Sequence, residues 1–496
     1  MGLASRPMRL FRPGILFLVG SLLLVIGAKL ALVRSFGSDV PYADQWTAEG
    51  STLFQPKLRD GRVPLEHFFF PHGEHRPAMT RFIAYGLFRA NGNQWDARLE
   101  CVANLSIHVG TFLLLWWLAG LLVSGRWLVV ARLWSVAVCA LPSIHENFVW
   151  GFQSQFLLLV MAGLAHVAGT LTTARPGWRW WGAQLAGLCG VLSLASGFLS
   201  AVALLGLALA LVIGGRRDAW AWATLTANAA LAAFGLWFLN KIYDTPDHVH
   251  SVTKLAMALA DLLAWPAPRG YWGLLGQLPL FVAVGWAFFR RRETTHAWLL
   301  LGLAAWLGLL TGALAFGRGG GQDGILVATR YMDILVIGSW LNLMATLWLG
   351  CRLGMRRGAL MLGFCLLPVL GGLGYWNLPG KVSAYGDLQR DYIARHDAVV
   401  HEFLQQGDPQ VFERDPVIRS AFPHLSFTVG LLKDPVMQPA WPPSLQPDGR
   451  AGWLSQAARG VVHWSRLLVV VGLGLTLIGG FMLLKRGDEA VSAVPS

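Results

Sequence analysis

Charge and cysteine are both scarce in this chain. Only 14% of its 496 residues are charged, about half of the roughly 25% that soluble globular domains carry. The five cysteines include none in segment 376–465, and they show no Cys/His spacing typical of a zinc site. These shortages exclude an intrinsically disordered chain, a secreted disulfide scaffold and a plain cytosolic enzyme.

Long apolar runs take the place of the missing charge. Apolar residues make up 55% of the chain, and its mean hydropathy is +0.50. Because a bilayer core needs about 20 apolar residues per helix, we predict an all-α polytopic membrane protein with about twelve transmembrane helices. The first is too long for a cleaved signal peptide and is expected to stay as an anchor. The predicted spans lie near residues 13–34, 104–123, 128–144, 148–172, 180–197, 199–214, 219–240, 271–289, 296–316, 331–350, 358–375 and 466–484.

The basic excess follows this predicted topology. If the N-terminus is cytoplasmic, the predicted cytoplasmic segments contain 17 Lys and Arg against four acidic residues, which accounts for the whole net charge of +13. This distribution agrees with the positive-inside rule. We therefore predict a multi-pass protein of the plasma membrane with both termini in the cytoplasm. Because no basic surplus is left outside, we expect no nucleic-acid partner.

Two predicted outside segments are too long to be simple connections. Loops of this length are usually folded or functional. The predicted organisation is a tail with the first transmembrane helix (1–34), a first loop (35–103), helices two to eleven (104–375), a small extracytoplasmic lobe (376–465) and a last helix with its tail (466–496).

Each long segment contains one helical pattern. In the first loop the apolar residues at helical spacing predict a helix lying in the membrane interface, with Arg81 and Arg89 on its other side. In the lobe the pattern predicts a helix that ends at Gly407-Asp408-Pro409, followed by an irregular region packed on the membrane domain. The apolar positions are Met79, Phe82, Ile83 and Leu87, and then Leu388, Tyr392, Val399 and Phe403.

Two acids directly follow the first predicted span. Asp39 and Asp44 lie in a turn that contains proline, Tyr42 and Trp46. A carboxylate at the membrane surface is a candidate general base. The alternative is a pair of solvated loop acids, or Asp44 capping a helix that begins near Gln45.

A second polar cluster is the run from His72 through Glu74 and His75 to Arg76, after three phenylalanines. His75 and Arg76 suit a phosphate better than a metal, because no other His/Asp group at ligand spacing supports a metal site. The alternative is an ordinary polar surface turn.

A third cluster joins the third and fourth predicted spans. Glu146 and Asn147 are followed by Trp150 and Gln153. Amide and aromatic side chains together are typical of a sugar site, and polar groups at membrane depth usually face a cavity. The alternative is hydrogen bonding between helices.

The fourth cluster consists of Arg318, in a glycine-rich loop, and Arg330 at the mouth of the tenth predicted span. Two such arginines could bind a lipid phosphate. The alternative is a hinge loop with two interfacial arginines. Lys29, inside the first predicted span, is expected to extend its ammonium group to the membrane surface.

Together these features resemble the GT-C superfamily of membrane glycosyltransferases, which use polyprenyl-phosphate-linked sugars. The chain also resembles an uncharacterised group of bacterial multispanning proteins placed near that superfamily. The adjacent acid pair typical of the superfamily's first loop is replaced here by Asp39 and Asp44, which four other residues separate. The motifs that carry the resemblance are Pro41-Tyr42-Ala43-Asp44-Gln45-Trp46, His72-Gly73-Glu74-His75-Arg76, and Glu146-Asn147 with Trp150-Gly151-Phe152-Gln153.

The resemblance implies an inverting transfer of a sugar to an acceptor hydroxyl at the periplasmic face of the bacterial inner membrane. The acceptor would be a glycan, a lipid or a protein. Some members use a divalent metal and others do not, so the cofactor stays open; we predict no metal ligands. The implied roles are general base for Asp44 or Asp39; donor-phosphate binding for Arg330, Arg318, Arg76 and His75; and sugar or acceptor binding for Glu74, His72, Glu146, Asn147, Trp150, Gln153, Tyr42 and Trp46.

Three other classes compete with this interpretation. A polymerase or ligase of lipid-linked glycans would place its key residues in the lobe. A transporter or flippase would favour internal repeats and broken helices, and we find no repeat. A scaffolding protein would tolerate changes in every loop motif. The lobe residues available to a polymerase or ligase are Arg390, Arg395, His396, His401, Arg414 and Arg419.

Overall fold

The protein is described by a computed structural model that covers residues 13–142, 145–239, 247–265, 272–289, 295–320, 328–353, 362 and 379–492. Within these ranges the secondary structure is helical, apart from an isolated antiparallel bridge between His72 and His75. Eight of the described helices are long and apolar enough to cross a membrane, so the chain is a multi-pass membrane protein. They are Pro13–Phe36, Ala97–Leu122, Gly151–Leu171, Ala195–Ile213, Ala219–Phe238, His296–Arg318, Thr329–Arg352 and Ser465–Lys485.

These eight helices confirm eight of the twelve predicted spans. Three other predicted spans correspond to shorter helices, Arg126–Ala140, Trp178–Val191 and Leu278–Phe289. The predicted span at 358–375 lies outside the described residues, apart from residue 362.

The first and last spans pack against each other through glycines. A Cβ atom built on Gly20 would lie 2.5 Å from the backbone nitrogen of Thr476, and one on Gly27 would lie 2.7 Å from that of Val469. Gly472 and Gly479 meet the backbone of the first span in the same way. Small residues of this kind let two membrane helices come into backbone contact. The chain is thereby closed into a bundle by its two terminal helices.

The prediction that Lys29 reaches the membrane surface is wrong. Its side chain is fully buried. The ammonium group donates a hydrogen bond to the carbonyl of Leu141 and lies 5.0 Å from the centre of the Phe148 ring. Leu141 follows the Arg126–Ala140 helix, and the free carbonyls at a helix C-terminus attract a cation. The Lys29 ammonium group is therefore satisfied by a backbone carbonyl inside the bundle, whereas the sequence interpretation expected it to reach water at the membrane surface.

The first loop (residues 37–96) and the lobe (residues 379–463) form one unit with a common apolar core, which we call the loop–lobe unit. The backbone nitrogen of Trp95 donates to the carbonyl of Ala440 at 2.7 Å. Gln55 and Arg59 both donate to the Asp434 carboxylate at 2.6 Å. Each half is too small to bury a large core alone, so the lobe packs on the first loop as well as on the membrane helices.

The predicted first-loop helix exists as Ala78–Ala90, but its orientation differs from the expectation. Arg81, expected on the polar side, is buried. Its guanidinium donates to the carbonyls of Ala48 and Phe68 at 3.2 and 3.4 Å. Phe82 is partly exposed and stacks on Phe68. The several donors of arginine find buried backbone acceptors here, which a pattern of apolar spacing cannot indicate.

The predicted lobe helix is confirmed as Pro379–Gln406, and it ends at Gly407, whose φ is +70°. A glycine in this left-handed conformation is a common helix terminator. The remaining helices of the loop–lobe unit are the π-helix Trp46–Phe54, then Gln55–Asp60, Leu65–Phe68, Pro409–Glu413, Pro416–Arg419, Leu425–Lys433, Pro435–Ala440, Pro443–Leu445 and Trp453–His463. The other described helices are Glu146–Val149, Val252–Ala264 and Trp272–Leu275.

Candidate functional site

Four separate segments of the chain meet at one cleft of about 130 Å³ between the loop–lobe unit and the membrane helices. They are the turn after the first span, the short Glu146–Val149 helix, the start of the Thr329–Arg352 span and the lobe helix. The cleft is lined by Tyr42, Glu146, Val149, Trp150, Arg330, Gln389, Tyr392 and Ile393. Four of these eight residues were predicted as site residues from the sequence.

The turn that carries Asp44 has an unusual backbone. Ala43 has φ of +47°, a left-handed conformation that is uncommon outside glycine. The Gln45 side chain closes the turn by accepting a hydrogen bond from the Tyr42 backbone nitrogen at 3.1 Å. The capping alternative is not found: the Asp44 carbonyl, rather than its carboxylate, accepts from Ala48. The carboxylate is thus left free to face His72.

Asp44 is held in its charged form. Its carboxylate lies 3.5 Å from His72 Nε2. Burial alone would raise the pKa of Asp44, but the hydrogen bond and charge of His72, together with His424 and Arg330, lower it below the ordinary value. Asp44 is therefore an ionised, partly exposed carboxylate at neutral pH, which is the state that a general base requires.

Two buried glutamates accept hydrogen bonds from the Gln45 side chain of the same turn. The Gln45 amide donates to Glu49 at 3.1 Å and to Glu100 at 2.8 Å. Burial raises the pKa of Glu49 to about 7, partly opposed by its hydrogen bonds to Gln45 and Glu100. A Cβ atom on Gly151 would lie 2.5 Å from the Glu100 carboxylate. Close packing and hydrogen bonding therefore fix Gln45, and with it the turn that presents Asp44.

Arg330 is the cation of the cleft. Its guanidinium lies 3.3 Å from the Glu146 carboxylate. Its backbone carbonyl accepts from the Asn147 side chain at 3.0 Å, and the same amide donates to Asp333 at 2.7 Å. Asn147, predicted to bind sugar, is fully buried and instead fixes the helix start that carries Arg330.

Aromatic rings form one wall of the cleft. The Tyr42 ring meets the edge of Trp150 at 5.2 Å between ring centres, and its hydroxyl lies 2.6 Å from that of Tyr392. Burial, followed by Tyr392 and Glu146, raises the pKa of Tyr42 strongly, so it stays protonated. Among the described residues the indole nitrogen of Trp150 has no hydrogen-bond partner. A flat surface with hydroxyl and N–H groups suits a sugar ring.

The structure separates the two candidate bases. Asp39 is buried and accepts from Arg459 at 3.1 Å and from the Ser444 backbone at 3.1 Å. Its carboxylate therefore joins the first loop to the lobe. Asp44 is not among the lining residues of the cleft, but it is the candidate on whose charge the cleft cation, Arg330, acts.

Several predicted phosphate ligands are occupied elsewhere. Arg76 donates to the carbonyls of Phe69 and Phe238 at 2.9 and 3.2 Å. His75 is buried, which lowers its pKa to about 4, so it is neutral at pH 7. Arg318 pairs with Asp247 at 3.0 Å. These three side chains are not brought to the cleft.

Five predicted sugar ligands lie apart from the cleft lining: Asn147 and His72, described above, and Trp46, Gln153 and Glu74. Trp46 is buried and meets Trp95 at 5.4 Å between ring centres. Gln153 is buried at the base of the Gly151–Leu171 span. Glu74 lies 3.3 Å from His248. Trp46 and Gln153 are buried, so their side chains contribute to packing inside the protein.

Sequence reasoning missed the lobe's contribution. Tyr392 lines the cleft and His424 acts on the charge of Asp44. Tyr392 was noted only as an apolar position of the lobe helix. Nothing local marks either residue as part of the site, because both reach it through packing between distant segments.

No protein-family model, curated protein or solved structure gives a significant match to the chain. Within the part of the chain that the structure describes, no group of three or more His, Cys, Asp or Glu side chains could hold a metal ion. Function is therefore inferred from the chemistry of the cleft and its surroundings.

Proposed function

We propose that the protein is an integral-membrane glycosyltransferase of the GT-C type. It would transfer a sugar from a polyprenyl-phosphate donor to an acceptor hydroxyl at the periplasmic face of the bacterial inner membrane. The observation that carries this proposal is an ionised carboxylate, Asp44, on which the cation of an aromatic-walled cleft, Arg330, acts electrostatically in a multi-pass protein.

Each group has a place in the proposed reaction. Asp44 takes the proton of the acceptor hydroxyl as that oxygen attacks the anomeric carbon. The bond from the anomeric carbon to the lipid phosphate oxygen breaks, and Arg330 stabilises the negative charge that forms on the phosphate. Attack from the side opposite the phosphate inverts the anomeric centre. Tyr42, Trp150 and Tyr392 hold the sugar by ring contact and hydrogen bonds.

Asp44 is a better candidate base than Asp39. The Asp39 carboxylate is already bound by Arg459 and Ser444, and a base must have a free lone pair for the incoming proton. Among the described residues, the ion-pair contact of the Asp44 carboxylate is the one to His72 at 3.5 Å, and Arg330 acts on it electrostatically.

A polymerase or ligase based on lobe cations receives less support. Arg395 pairs with Asp415 at 2.6 Å, Arg414 with Glu402, and Arg419 with Glu413 at 2.9 Å. His396 is buried and stacks on Phe422. None of these lobe side chains lines the cleft, so they are not placed to meet a substrate held by its aromatic wall.

A transporter is the second candidate, because Lys29 and Asp333 are both buried in candidate spans. Ionisable groups inside a membrane often mark an ion path. Here, however, Lys29 bonds to the carbonyl of Leu141 and Asp333 bonds to Asn147. Both contacts support the segments around the cleft, which is what a structural role would require.

The deciding experiment compares surface glycans by mass spectrometry in the host with and without the protein. We expect one sugar to disappear and to return with the wild type or with Asp60→Asn, which changes an exposed acid of the same loop. Asp44→Asn should fail to restore it although the protein is made and inserted. Full restoration by Asp44→Asn, or an unchanged glycan profile on deletion, would refute the proposal. Movement of an unmodified substrate across the membrane would favour the transporter instead.

A further inference from the structure

A second pocket, of about 290 Å³, lies where the first span, the Ala97–Leu122 span and the Trp453–His463 helix meet. It shares no lining residue with the cleft. Three guanidinium groups and a histidine surround it, with two valines as the apolar part. The lining residues are Val33, Arg34, Arg98, Arg459, Val462 and His463.

Positive charge in this pocket exceeds negative charge. Asp39 is the carboxylate in contact with the lining: it lies 3.1 Å from Arg459 and 4.0 Å from Arg98. Arg34 donates to the backbone carbonyl of His463 at 3.2 Å. Within the described residues no carboxylate lies within ion-pair distance of Arg34. One carboxylate therefore pairs with two of the three guanidinium groups, and an anion at Arg34 would complete the site.

The pocket lies at the level where a bilayer ends. Arg34 is in the last turn of the first span, and Arg98 is in the first turn of the Ala97–Leu122 span. His463 ends a helix two residues before the last span begins. Trp464, directly before the last span, is 57% exposed, and Trp453, the first residue of that helix, is 66% exposed. Exposed tryptophans at the ends of spans are typical of the headgroup region.

We propose that this pocket binds the phosphate of an anionic membrane lipid. Arginine presents a planar set of donors that matches phosphate oxygens. Basic pockets between membrane helices at this depth are suited to lipid headgroups, and Val33 and Val462 offer apolar contact to the adjoining glycerol and acyl carbons. The site is independent of the proposed transfer reaction and stabilises the junction of the first span, the last span and the loop–lobe unit.

Native mass spectrometry of the full-length protein tests this inference. Protein released from nanodiscs of equal parts dioleoylphosphatidylglycerol and dioleoylphosphatidylcholine should retain the anionic lipid preferentially. Arg34→Gln should lower that retention about fivefold, the effect of roughly one interfacial cation. Arg34 is exposed and bonds to a backbone carbonyl, so this change should leave the fold intact. Arg34→Lys should lose less.

The matched control is Arg450→Gln, which removes a charge from an 87% exposed side chain of the lobe. It should retain lipid like the wild type. Equal retention of the two lipids, or equal loss in Arg34→Gln and Arg450→Gln, would overturn the inference. A third arm adds soluble glycerol phosphate in excess: no displacement is expected, and full displacement would assign the pocket to a soluble phosphate and overturn the lipid site.

Discussion

The guanidinium of Arg330 lies 3.3 Å from the carboxylate of Glu146, and the two residues come from segments more than 180 positions apart. The pair is only partly exposed, at 30% and 27% of the side chains. It joins the short helix that presents Trp150 to the span that presents the cleft cation. A substrate phosphate would compete with Glu146 for Arg330, and the pair fixes the position of the guanidinium at the cleft.

We predict that the Glu146–Arg330 pair has a measurable coupling energy. A double-mutant cycle with Glu146→Gln and Arg330→Gln should give about 1 kcal/mol in the free energy of unfolding, the upper end for partly exposed pairs. Unfolding in mixed detergent micelles measures it. The control is Arg216–Asp218, at 2.9 Å but more exposed, where the coupling should be near zero. Equal coupling in the two cycles would show that the Glu146 contact is incidental.

The lowered pKa of Asp44 predicts a pH-dependent stability. Because the unfolded carboxyl binds protons at higher pH than the folded one, Asp44 stabilises the fold above its ordinary pKa of 3.8. This contribution should disappear as the pH falls through the lowered folded pKa. Thermal unfolding of the wild type and Asp44→Asn between pH 3 and pH 7 should therefore diverge above about pH 4 and converge below it.

His72 is the named partner that makes this effect specific. In His72→Gln the difference caused by Asp44→Asn should shrink, because the hydrogen bond and charge of His72 help to lower the pKa. Asp60→Asn, the exposed control, should follow the wild type throughout. Curves for the wild type and Asp44→Asn that stay parallel would contradict the assignment.

Hydropathy alone predicted the eight long helices, since their apolar runs are long enough to identify without any tertiary information. Four lining residues of the cleft were predicted for the same reason. They are polar or aromatic residues at the ends of apolar runs, and the ends of spans on one side of a membrane lie close together. These residues are Tyr42, Glu146, Trp150 and Arg330. Asp44, two residues after Tyr42 but outside the cleft lining, was identified in the same way.

The rest depended on contacts between distant segments. Tyr392 and His424 reach the site only because the lobe and the first loop share a core, and no local pattern states that pairing. Lys29 and Arg81 were placed at a surface because charge is usually solvated, but backbone carbonyls inside the fold accept their hydrogen bonds. Trp46 was predicted to bind a sugar or acceptor because it belongs to a sequence motif, but its side chain lies in the apolar core.

The buried Glu49 predicts the opposite pH dependence to Asp44. Its pKa is raised to about 7 by burial, so the folded state keeps a proton that the unfolded state has already lost. Stability from this group is complete below the ordinary pKa of 4.5 and is lost as the pH rises to about 7; the loss is on the order of 3 kcal/mol at most. Glu49→Gln keeps a neutral side chain, and we expect it to be more stable than the wild type at pH 8 and similar at pH 4.5.

Denaturation at those two pH values measures this difference. The control is Glu66→Gln, on the short Leu65–Phe68 helix of the same loop, where residue 66 is exposed. It should change little at either pH. If Glu49→Gln is less stable than the wild type at pH 8, Glu49 must act as an ionised partner of Gln45 rather than as a buried neutral acid.

The glycine contact between the terminal spans gives the sharpest test of the fold. A Cβ atom on Gly472 would overlap the backbone of Leu24, whereas one on Gly474, two residues further along the same helix, meets nothing within 4 Å. Gly472→Ala should therefore cost about 1–3 kcal/mol, the usual range for overpacking, because a backbone neighbour cannot move aside as a side chain can. Gly474→Ala should be neutral or slightly stabilising, since alanine favours the helix. Unfolding of both variants in the same micelles compares them directly, and equal stability would mean that the first and last spans are not in backbone contact.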